Sequence, residues 1–477
     1  MEKKNTWNLY NKKQLTEVDK FAKEYVEFLN NGKTERECVD TVVNTIEEAG
    51  YRELEVLVKN NTQLKAGDKV YSVLMNKTVV MFQLGKQSMT EGMNILGAHI
   101  DSPRLDIKQN PLYEDGGFAY LDTHYYGGVK KYQWVTIPLA IHGVVVKKDG
   151  TTIEINIGEN EEDPVFFISD LLIHLSQEQL EKKASKVIEG EALDIIIGNK
   201  PILIDKKDKK NSKEDKEDKS AAKDAVKEGI LSILKENYDM EEEDFLSAEL
   251  EVVPAGNARD AGFDRSMILG YGQDDRVCTF SSLKAILETK DNERCACCIL
   301  VDKEEIGSVG ATGMQSKFFE NSVAEVMNLT GEYSELNVRR ALAKSNMLSS
   351  DVSSAFDPSF ASSFDKKNVA YLGGGMVFNK FTGSRGKSGS NDANAEYVAY
   401  IRNIMDQSKV NFQTAELGRV DLGGGGTIAY ILALYGMNVI DCGVAVLNMH
   451  APWEATSKAD IYEAKRGYAA FLEGASL

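Results

Sequence analysis

CACCILVDKEE, residues 295–305, places an apolar run directly before a cluster of charged residues. The apolar part, 295–301, is typical of a strand buried on both faces at the centre of a sheet. Cys295, Cys297 and Cys298 lie in this run, but a strand sends neighbouring side chains to opposite faces, so we expect structural cysteines and no metal site. Glu304 and Glu305 follow the predicted strand, at the end where sites collect in α/β sheets.

Predicted strands and helices alternate on the carboxyl-terminal side of this stretch. The strands are expected at 346–351, 370–378 and 438–447, and the helices at 392–407, 427–435 and 458–472. The amino-terminal side predicts two helices around Phe21 and Val42, then a hairpin of 70–75 and 78–84 and a strand at 95–100. This order predicts an α/β fold in which helices cover a mixed sheet.

Residues 102–252 differ in their pattern of predicted secondary structure from the segments on either side. Their clearest feature is a predicted hairpin of 144–147 and 152–157 around Asp149-Gly150, a pair favoured in tight turns. We therefore expect one domain from residues 1–101 and 253–477, and an inserted β-rich domain at 102–252. Within the insertion, residues 205–227 are almost entirely Lys, Asp, Glu, Ser and Ala, which predicts a flexible charged segment.

The charge balance excludes several classes of partner. The 477 residues include 56 Lys and Arg against 74 Asp and Glu, a formal net charge of -18, which repels nucleic acids and anionic membrane surfaces.

The apolar stretch 428–449 is interrupted by Asp441, so it predicts a buried helix followed by a buried strand and no membrane span. The first residues lack the apolar core of a secretory signal, and we expect a cytoplasmic protein.

Five residues at or just beyond apolar segments carry side chains that bind divalent metals. They are His99, Asp274, Glu305, Asp351 and His450. Imidazole and carboxylate ligands together suit zinc, and also manganese or cobalt. Glu304, beside Glu305 and turned the other way, has the position of a catalytic base.

Each of these residues also has a structural explanation when taken alone. Asp274-Asp275 would suit the start of a helix over 278–286, Glu304-Glu305 would suit a solvated loop, and a single histidine is as often a core or surface residue as a ligand. His99 gains support from Asp101, because two positions along a strand share one face. Asp101 could accept the second ring N–H of a metal-bound His99 and fix its tautomer.

Five short blocks, in a fixed order, carry a resemblance that spans nearly the whole chain. They are GAHIDSPR (97–104), DDR (274–276), EEIGS (304–308), SD (350–351) and NMH (448–450). In these blocks the chain resembles the aspartyl aminopeptidase and aminopeptidase I family of dinuclear metallopeptidases, especially its bacterial aminopeptidase I-type members. The resemblance implies an aminopeptidase that removes the N-terminal residue of peptides. It also implies a β-rich dimerisation domain inserted into the α/β catalytic domain, and dimers that assemble into a dodecamer.

The resemblance further implies a role for each site residue. One of two divalent ions would be bound by His99 and Asp351, the other by Glu305 and His450, with Asp274 rather than Asp275 bridging them. Glu304 would be the general base for a water activated by both ions, and Asp101 would orient His99. His174 resembles a family histidine that enters the neighbouring subunit's active site to stabilise an oxyanion; the alternative is a packing role within the insertion.

Two positions depart from the aspartyl branch of the family. Ser354 and Asp357 stand where that branch has histidines, and a negative Asp357 near the pocket would disfavour acidic substrates. We therefore expect a preference for neutral N-terminal residues, although Lys380 and Arg385 leave an acidic preference open. A related dinuclear amidohydrolase, such as a dipeptidase or deacylase, and an inactive cage-forming scaffold are the alternative functions.

Overall fold

The computed structural model describes residues 4–202 and 224–474. Contacts between residues divide the chain into two compact units. The first unit comprises Met1–Ser102 and Asn257–Leu477, and the second comprises Pro103–Gly256. The second unit is thus an insertion in the sequence of the first, while its predicted role in dimerisation stays a prediction.

Twenty strands form three sheets in the described part of the chain. They are β1 (Arg52–Glu53), β2 (Lys69–Leu74), β3 (Thr78–Gln83), β4 (Met93–His99), β5 (Arg104–Asp115), β6 (Phe118–Tyr126), β7 (Leu139–Val146), β8 (Thr152–Ile157), β9 (Ile195–Gly198), β10 (Ala248–Pro254), β11 (Arg259–Ala261), β12 (Met267–Gly270), β13 (Cys295–Val301), β14 (Asn346–Ser350), β15 (Ser353–Ser354), β16 (Met376–Asn379), β17 (Phe412–Thr414), β18 (Asn438–Gly443), β19 (Ala445–Leu447) and β20 (Glu454–Ser457).

Twelve α-helices accompany these strands in the described ranges. They are α1 (Lys12–Asn31), α2 (Glu35–Glu48), α3 (Leu54–Lys59), α4 (Gln177–Leu180), α5 (Ala184–Val187), α6 (Ala225–Tyr238), α7 (Gln273–Glu288), α8 (Phe318–Leu329), α9 (Glu335–Ala343), α10 (Ala395–Gln407), α11 (Ala429–Ala433) and α12 (Lys458–Gly474). Helices α1 and α2 both begin at a capping box, in which Asn11 pairs with Gln14 and Thr34 with Glu37. Each box satisfies backbone N–H groups that the first helical turn leaves free.

A nine-stranded sheet forms the centre of the first unit. Its strand order is β1-β2-β3-β13-β4-β14-β18-β16-β17. The four strands β13, β4, β14 and β18 run parallel, whereas β2 and β3 form the predicted antiparallel hairpin. Every residue of β13 is buried, which confirms the central strand expected at 295–301.

Helices cover both faces of this sheet, as the alternating pattern predicted. One buried apolar cluster joins one face to residues of α1, α2, α7, α10 and α12. A second joins the other face to residues of α3, α8, α9 and α11. Cys298 belongs to the first cluster and Cys295 and Cys297 to the second, so alternation along β13 separates these buried, free thiols.

Two predicted strands are shorter than expected. Only β16 forms within the predicted strand 370–378, because the chain turns at Gly373 and Gly375, which both have positive φ. The predicted strand 438–447 is divided at Val444 into β18, in the nine-stranded sheet, and β19, in a five-stranded sheet ordered β11-β12-β20-β19-β15. An apolar run does not reveal where a chain passes from one sheet to another.

The second unit is built on an antiparallel sheet ordered β8-β7-β10-β5-β6-β9. Strands β7 and β8 form the hairpin predicted around Asp149-Gly150. Of the predicted flexible segment 205–227, residues 205–223 lie outside the described residues. The prediction is wrong for Ala225–Lys227, which begin helix α6; there the backbone N–H groups of Val226 and Lys227 both donate to Glu114.

No helix within the described ranges has both the length and the hydropathy needed to span a bilayer. The stretch 428–449 contains α11 and β18, largely buried, which confirms the expected helix followed by a strand.

Candidate metal centre

The five predicted ligands meet at one edge of the nine-stranded sheet. His99 is the last residue of β4, and Asp351 directly follows β14. Glu305 lies in the 3-10 turn Glu304–Ile306 just after β13. Because β13, β4 and β14 are parallel neighbours, their carboxyl ends bring these three side chains to the same place.

Asp274 and His450 reach the same edge from outside the sheet. Asp274 lies in the first turn of α7, and His450 lies in the connection from β19 to β20. The chain around Asp351 is also closely packed, since a Cβ atom on Gly443 would lie 1.8 Å from the Asp351 carbonyl oxygen. Only glycine permits that approach.

Asp274 lies between the two histidines. His99 Nε2 is 3.2 Å from Asp274 Oδ1 and 3.8 Å from Asp351 Oδ1. His450 Nε2 is 3.3 Å from Asp274 Oδ2 and 3.4 Å from Glu305 Oε1. The two oxygens of Asp274 therefore face different histidines, each of which has a second carboxylate beside it.

The donor atoms form groups that fit a divalent cation. His99, Asp274 and Asp351 make one group, and Asp274, Glu305 and His450 make another, with ligand atoms within 4.8 Å of one another in each. His99 Nε2, Asp274 Oδ1 and Glu305 Oε1 are buried and have no hydrogen-bond partner in the described chain. Buried polar atoms without partners are costly, and a bound cation would satisfy all three.

Burial shapes the electrostatics of this cluster. It raises the pKa of Glu304 to about 8 and that of Glu305 well above the usual range, with a further contribution from the negative charge of Asp274. Burial also acts on Asp274, but its contacts with His450 and His99 prevail and lower its pKa. Burial disfavours a charged His99, yet contacts with Asp101, Asp274 and Asp351 raise its pKa well above the ordinary value. Without a cation, the cluster holds protons.

Asp101 contacts both His99 and the two glutamates. His99 Nδ1 lies 3.0 Å from the backbone carbonyl oxygen of Asp101 and 3.3 Å from its Oδ1. The Asp101 carboxylate also accepts the backbone N–H groups of Glu304 (3.1 Å) and Glu305 (3.2 Å). Asp101 thus ties the imidazole to the turn after β13, a link that the sequence pattern did not predict.

A cavity of about 620 Å³ opens onto the cluster. Besides the cluster residues, its lining includes Asn379, Thr382, Thr427, Tyr430 and the glycine-rich segment 424–426. Among the described residues that line it, none is Lys or Arg.

Several predicted site residues lie outside this lining. Ser354 belongs to β15, and Asp357 instead accepts the backbone N–H of Ser359. Lys380 pairs with Asp392 at 2.5 Å, and Arg385 lines a separate cavity. His174 lies in the second unit, exposed on the 3-10 turn Ile173–Leu175.

Two buried carboxyl groups beside the cluster were not predicted as site residues. In the sequence, Asp441 only interrupts an apolar run. In the structure it lines the cavity and accepts a hydrogen bond from Thr427 Oγ1, and burial raises its pKa to about 7. Glu454 accepts backbone N–H groups of both Asp274 and His450. The one available signal was a glutamate four positions after a predicted histidine ligand, which is weak alone.

A cluster of histidines and carboxylates at the carboxyl edge of a helix-covered sheet is typical of metal-dependent enzymes, including two-metal hydrolases. The family described as "Aminopeptidase I zinc metalloprotease (M18)" matches residues 28–472, and the chain belongs to this family. It is therefore a zinc metalloaminopeptidase, as the resemblance of the five sequence blocks predicted, and the alternative functions are not favoured.

Known relatives extend along the whole chain. The probable M18 family aminopeptidase 1 of Clostridium acetobutylicum is 61% identical over 471 residues, which cover 99% of this chain and 98% of that protein. The crystal structure of an M18 family aminopeptidase from Thermotoga maritima matches with a TM-score of 0.91 and 42% identity, covering 100% of both chains. The mApe1 dodecamer of S. cerevisiae shares the fold at 19% identity, with a TM-score of 0.73 over 95% of this chain and 96% of that one. These matches confirm the mixed α/β fold class.

Proposed function

We propose that the chain binds two zinc ions and uses them to remove single N-terminal residues from peptides. His99 and Asp351 hold one ion, Glu305 and His450 hold the other, and Asp274 bridges them. The observation that carries this proposal is the placement of Asp274, whose two oxygens lie 3.2 Å and 3.3 Å from the two histidines. The charge of several close carboxylates is then balanced by cations.

Glu304 is the general base in this proposal. When bound, two divalent ions lower the pKa of a shared water and polarise the scissile carbonyl. Glu304 Oε2 lies 3.8 Å from His99 Nε2, at the edge of the cluster, where it takes the proton of the attacking water and passes it to the leaving amine. Asp101 holds the backbone of the turn that carries Glu304.

The preferred N-terminal residue is neutral. An acidic side chain entering the cavity would meet Asp351 and Asp441, without a Lys or Arg among the described lining residues. Of the two cations that could have favoured acidic substrates, Lys380 is already paired with Asp392 and Arg385 lines a separate cavity. Desolvating an anion without a partner cation is costly.

The active assembly is a dimer of this chain that joins a dodecamer, with His174 acting in the neighbouring subunit's site. His174 lies in a run of exposed apolar residues, in which Ile173 and Leu175 are 69% and 68% exposed. Apolar runs of this kind mark association surfaces. The S. cerevisiae mApe1 of the same fold is a dodecamer.

Reconstitution with metal tests the reaction. Metal-stripped protein would be resupplied with zinc, manganese or cobalt and assayed with aminoacyl substrates and with matched N-acetylated ones. We expect zinc to restore cleavage of free-amine substrates, with Leu and Ala preferred over Asp. Cleavage of acetylated substrates would favour a deacylase or endopeptidase, cleavage of dipeptides alone would favour a dipeptidase, and no restoration by any metal would contradict the proposal.

Subunit complementation tests the role of His174. Glu304→Gln and His174→Ala are each expected to be nearly inactive alone. If His174 acts in the partner's site, coexpressed chains that pair at random regain activity in about a quarter of the sites, because one site of each mixed dimer has both residues. Activity no higher than that of the separate variants would contradict a role across the interface.

A further inference from the structure

Glu454 connects two candidate metal ligands through its carboxylate. This side chain is buried, with the residue 1% exposed. Its Oε2 accepts the backbone N–H of Asp274 at 3.0 Å, and its Oε1 accepts the backbone N–H of His450 at 2.8 Å. One carboxylate therefore fixes the main chain at both residues, which are far apart in sequence.

Glu454 is itself held in place from the Asp274 side. It is the first residue of β20 and pairs with Gly270 of β12. Its backbone carbonyl accepts a hydrogen bond from Gln273 Nε2 at 2.6 Å. Gln273 is fully buried, and its Oε1 accepts hydrogen bonds from Thr456 and Tyr25. Two hydrogen bonds therefore connect Glu454 to residues 273–274, one through its backbone carbonyl and one through its carboxylate.

The His450 side of this contact needs such support. His450 lies between β19 and β20, outside regular secondary structure, and its side chain is 34% exposed. Its φ is 65°, in the left-handed region that non-glycine residues rarely adopt. A residue held in this conformation depends on fixed contacts of its backbone, and the Glu454 carboxylate provides one.

We propose that Glu454 is a positioning residue that sets the distance between the bridging ligand Asp274 and the terminal ligand His450. This inference rests on the proposed two-zinc function and deepens it. Its particular consequence is asymmetry. Asp274 bridges both proposed ions, whereas His450 binds only one, so loss of the contact weakens the ion held by Asp274, Glu305 and His450 more than the ion held by His99, Asp351 and Asp274. Substitution of a residue that hydrogen-bonds to a metal ligand typically lowers metal affinity by about 10- to 100-fold.

The test compares Glu454→Gln with a matched control, Asp460→Asn. Asp460 is also a fully buried carboxylate that accepts two backbone N–H groups, those of Gly373 (2.8 Å) and Gly375 (2.7 Å), neither of which is a ligand residue. Zinc content and affinity would be measured in zinc-buffered solutions by competition with a chromophoric chelator. For Glu454→Gln we expect one ion bound nearly as in the wild type and the other bound about 10- to 100-fold more weakly. Asp460→Asn should bind both ions as the wild type does.

The zinc measurements distinguish failure of the Glu454 role from failure of the two-zinc proposal. Wild-type chain that binds fewer than two ions contradicts the two-zinc proposal. Wild-type chain with two ions, together with Glu454→Gln that binds both normally or weakens both equally, overturns only the role of Glu454. If Glu454→Gln does not fold, Glu454→Asp decides, because its shorter side chain keeps the charge but cannot reach both N–H groups. Excess zinc should restore the activity of both Glu454→Gln and Glu454→Asp.

Discussion

The candidate metal cluster and the surroundings of Asp460 both bury carboxyl groups in the same unit, but they satisfy them differently. Asp460 accepts hydrogen bonds from two glycine N–H groups. In the cluster, Asp274 Oδ1 and Glu305 Oε1 have no hydrogen-bond partner among the residues that the structure describes, and they lie within 3.4 Å of histidine nitrogens. Burial without donors costs stability unless a ligand binds. The contrast separates a carboxylate that supports the fold from carboxylates that we propose bind a cation.

The largest expected effect is on catalysis at the cluster. Glu304→Gln keeps the shape of the side chain but removes the base, so kcat should fall about 10²- to 10⁴-fold while zinc content stays at the wild-type level. Glu293→Gln is the control, because Glu293 is exposed and pairs only with Lys86 among the described residues. Unchanged kcat in Glu304→Gln would show that another group moves the proton.

The next effect is the stabilisation gained from zinc. At a zinc concentration 1,000 times the Kd, binding to the folded chain should add about 4 kcal/mol, measured as a rise in Tm. Asp460→Asn should show the same gain, because the wild-type Asp460 carboxylate accepts N–H groups of Gly373 and Gly375, which are not proposed metal ligands. Glu305→Gln should lose most of it, and an undiminished gain in that variant would exclude Glu305 as a ligand.

A smaller effect, which differs between the two regions, is expected on the stability of the metal-free chain. Asp460→Asn replaces one acceptor oxygen with an NH2 group that faces a backbone N–H, so it should lower stability by about 1–3 kcal/mol. Glu305→Gln exchanges a buried carboxyl group, which its raised pKa keeps protonated in the metal-free chain, for a neutral amide. The denaturation midpoint of this variant in urea should equal or exceed that of the wild type. Equal losses in both variants would remove the distinction between the two regions.

The smallest effect concerns pH. Burial and the nearby Asp274 raise the pKa of Glu305 in the metal-free chain, so a proton must leave before the carboxylate binds zinc. Zinc affinity should therefore rise with pH, by about tenfold per pH unit for each proton released. By the same linkage, the stability that the metal-free chain gains from protonated Glu305 is lost as pH rises through the raised pKa. Chelator competition at pH 6.5 and 7.5 measures the affinity; stronger binding at the lower pH would contradict this assignment.

Local patterns predicted the strand ends at which several cluster residues lie, whereas the roles of these residues came from the resemblance of the five sequence blocks to a known family. β13 and the glutamates after it are adjacent in sequence, and His99 ends a strand whose seven residues are all buried. Parallel strands then bring such ends together without further information. Helices α10 and α12 were also predicted close to their observed limits, because their apolar residues recur at helical spacing.

Contacts between distant segments could not be predicted in this way. Glu454 acts on backbone N–H groups, which every residue except proline has, so no residue type marks its partners. The predicted strand 438–447 divides just after Gly443, where a Cβ atom would lie 1.8 Å from the Asp351 carbonyl oxygen. The turn that shortens the predicted strand 370–378 is fixed by Asp460, about 85 residues later.

Anomalous diffraction at the zinc edge, from crystals grown with zinc, tests the central claim most directly. The two-zinc site predicts two peaks per chain, about 3.5–4 Å apart. One should contact His99 and Asp351, the other Glu305 and His450, with Asp274 between them. A single peak in the cluster, or two peaks that do not share Asp274, would contradict the account.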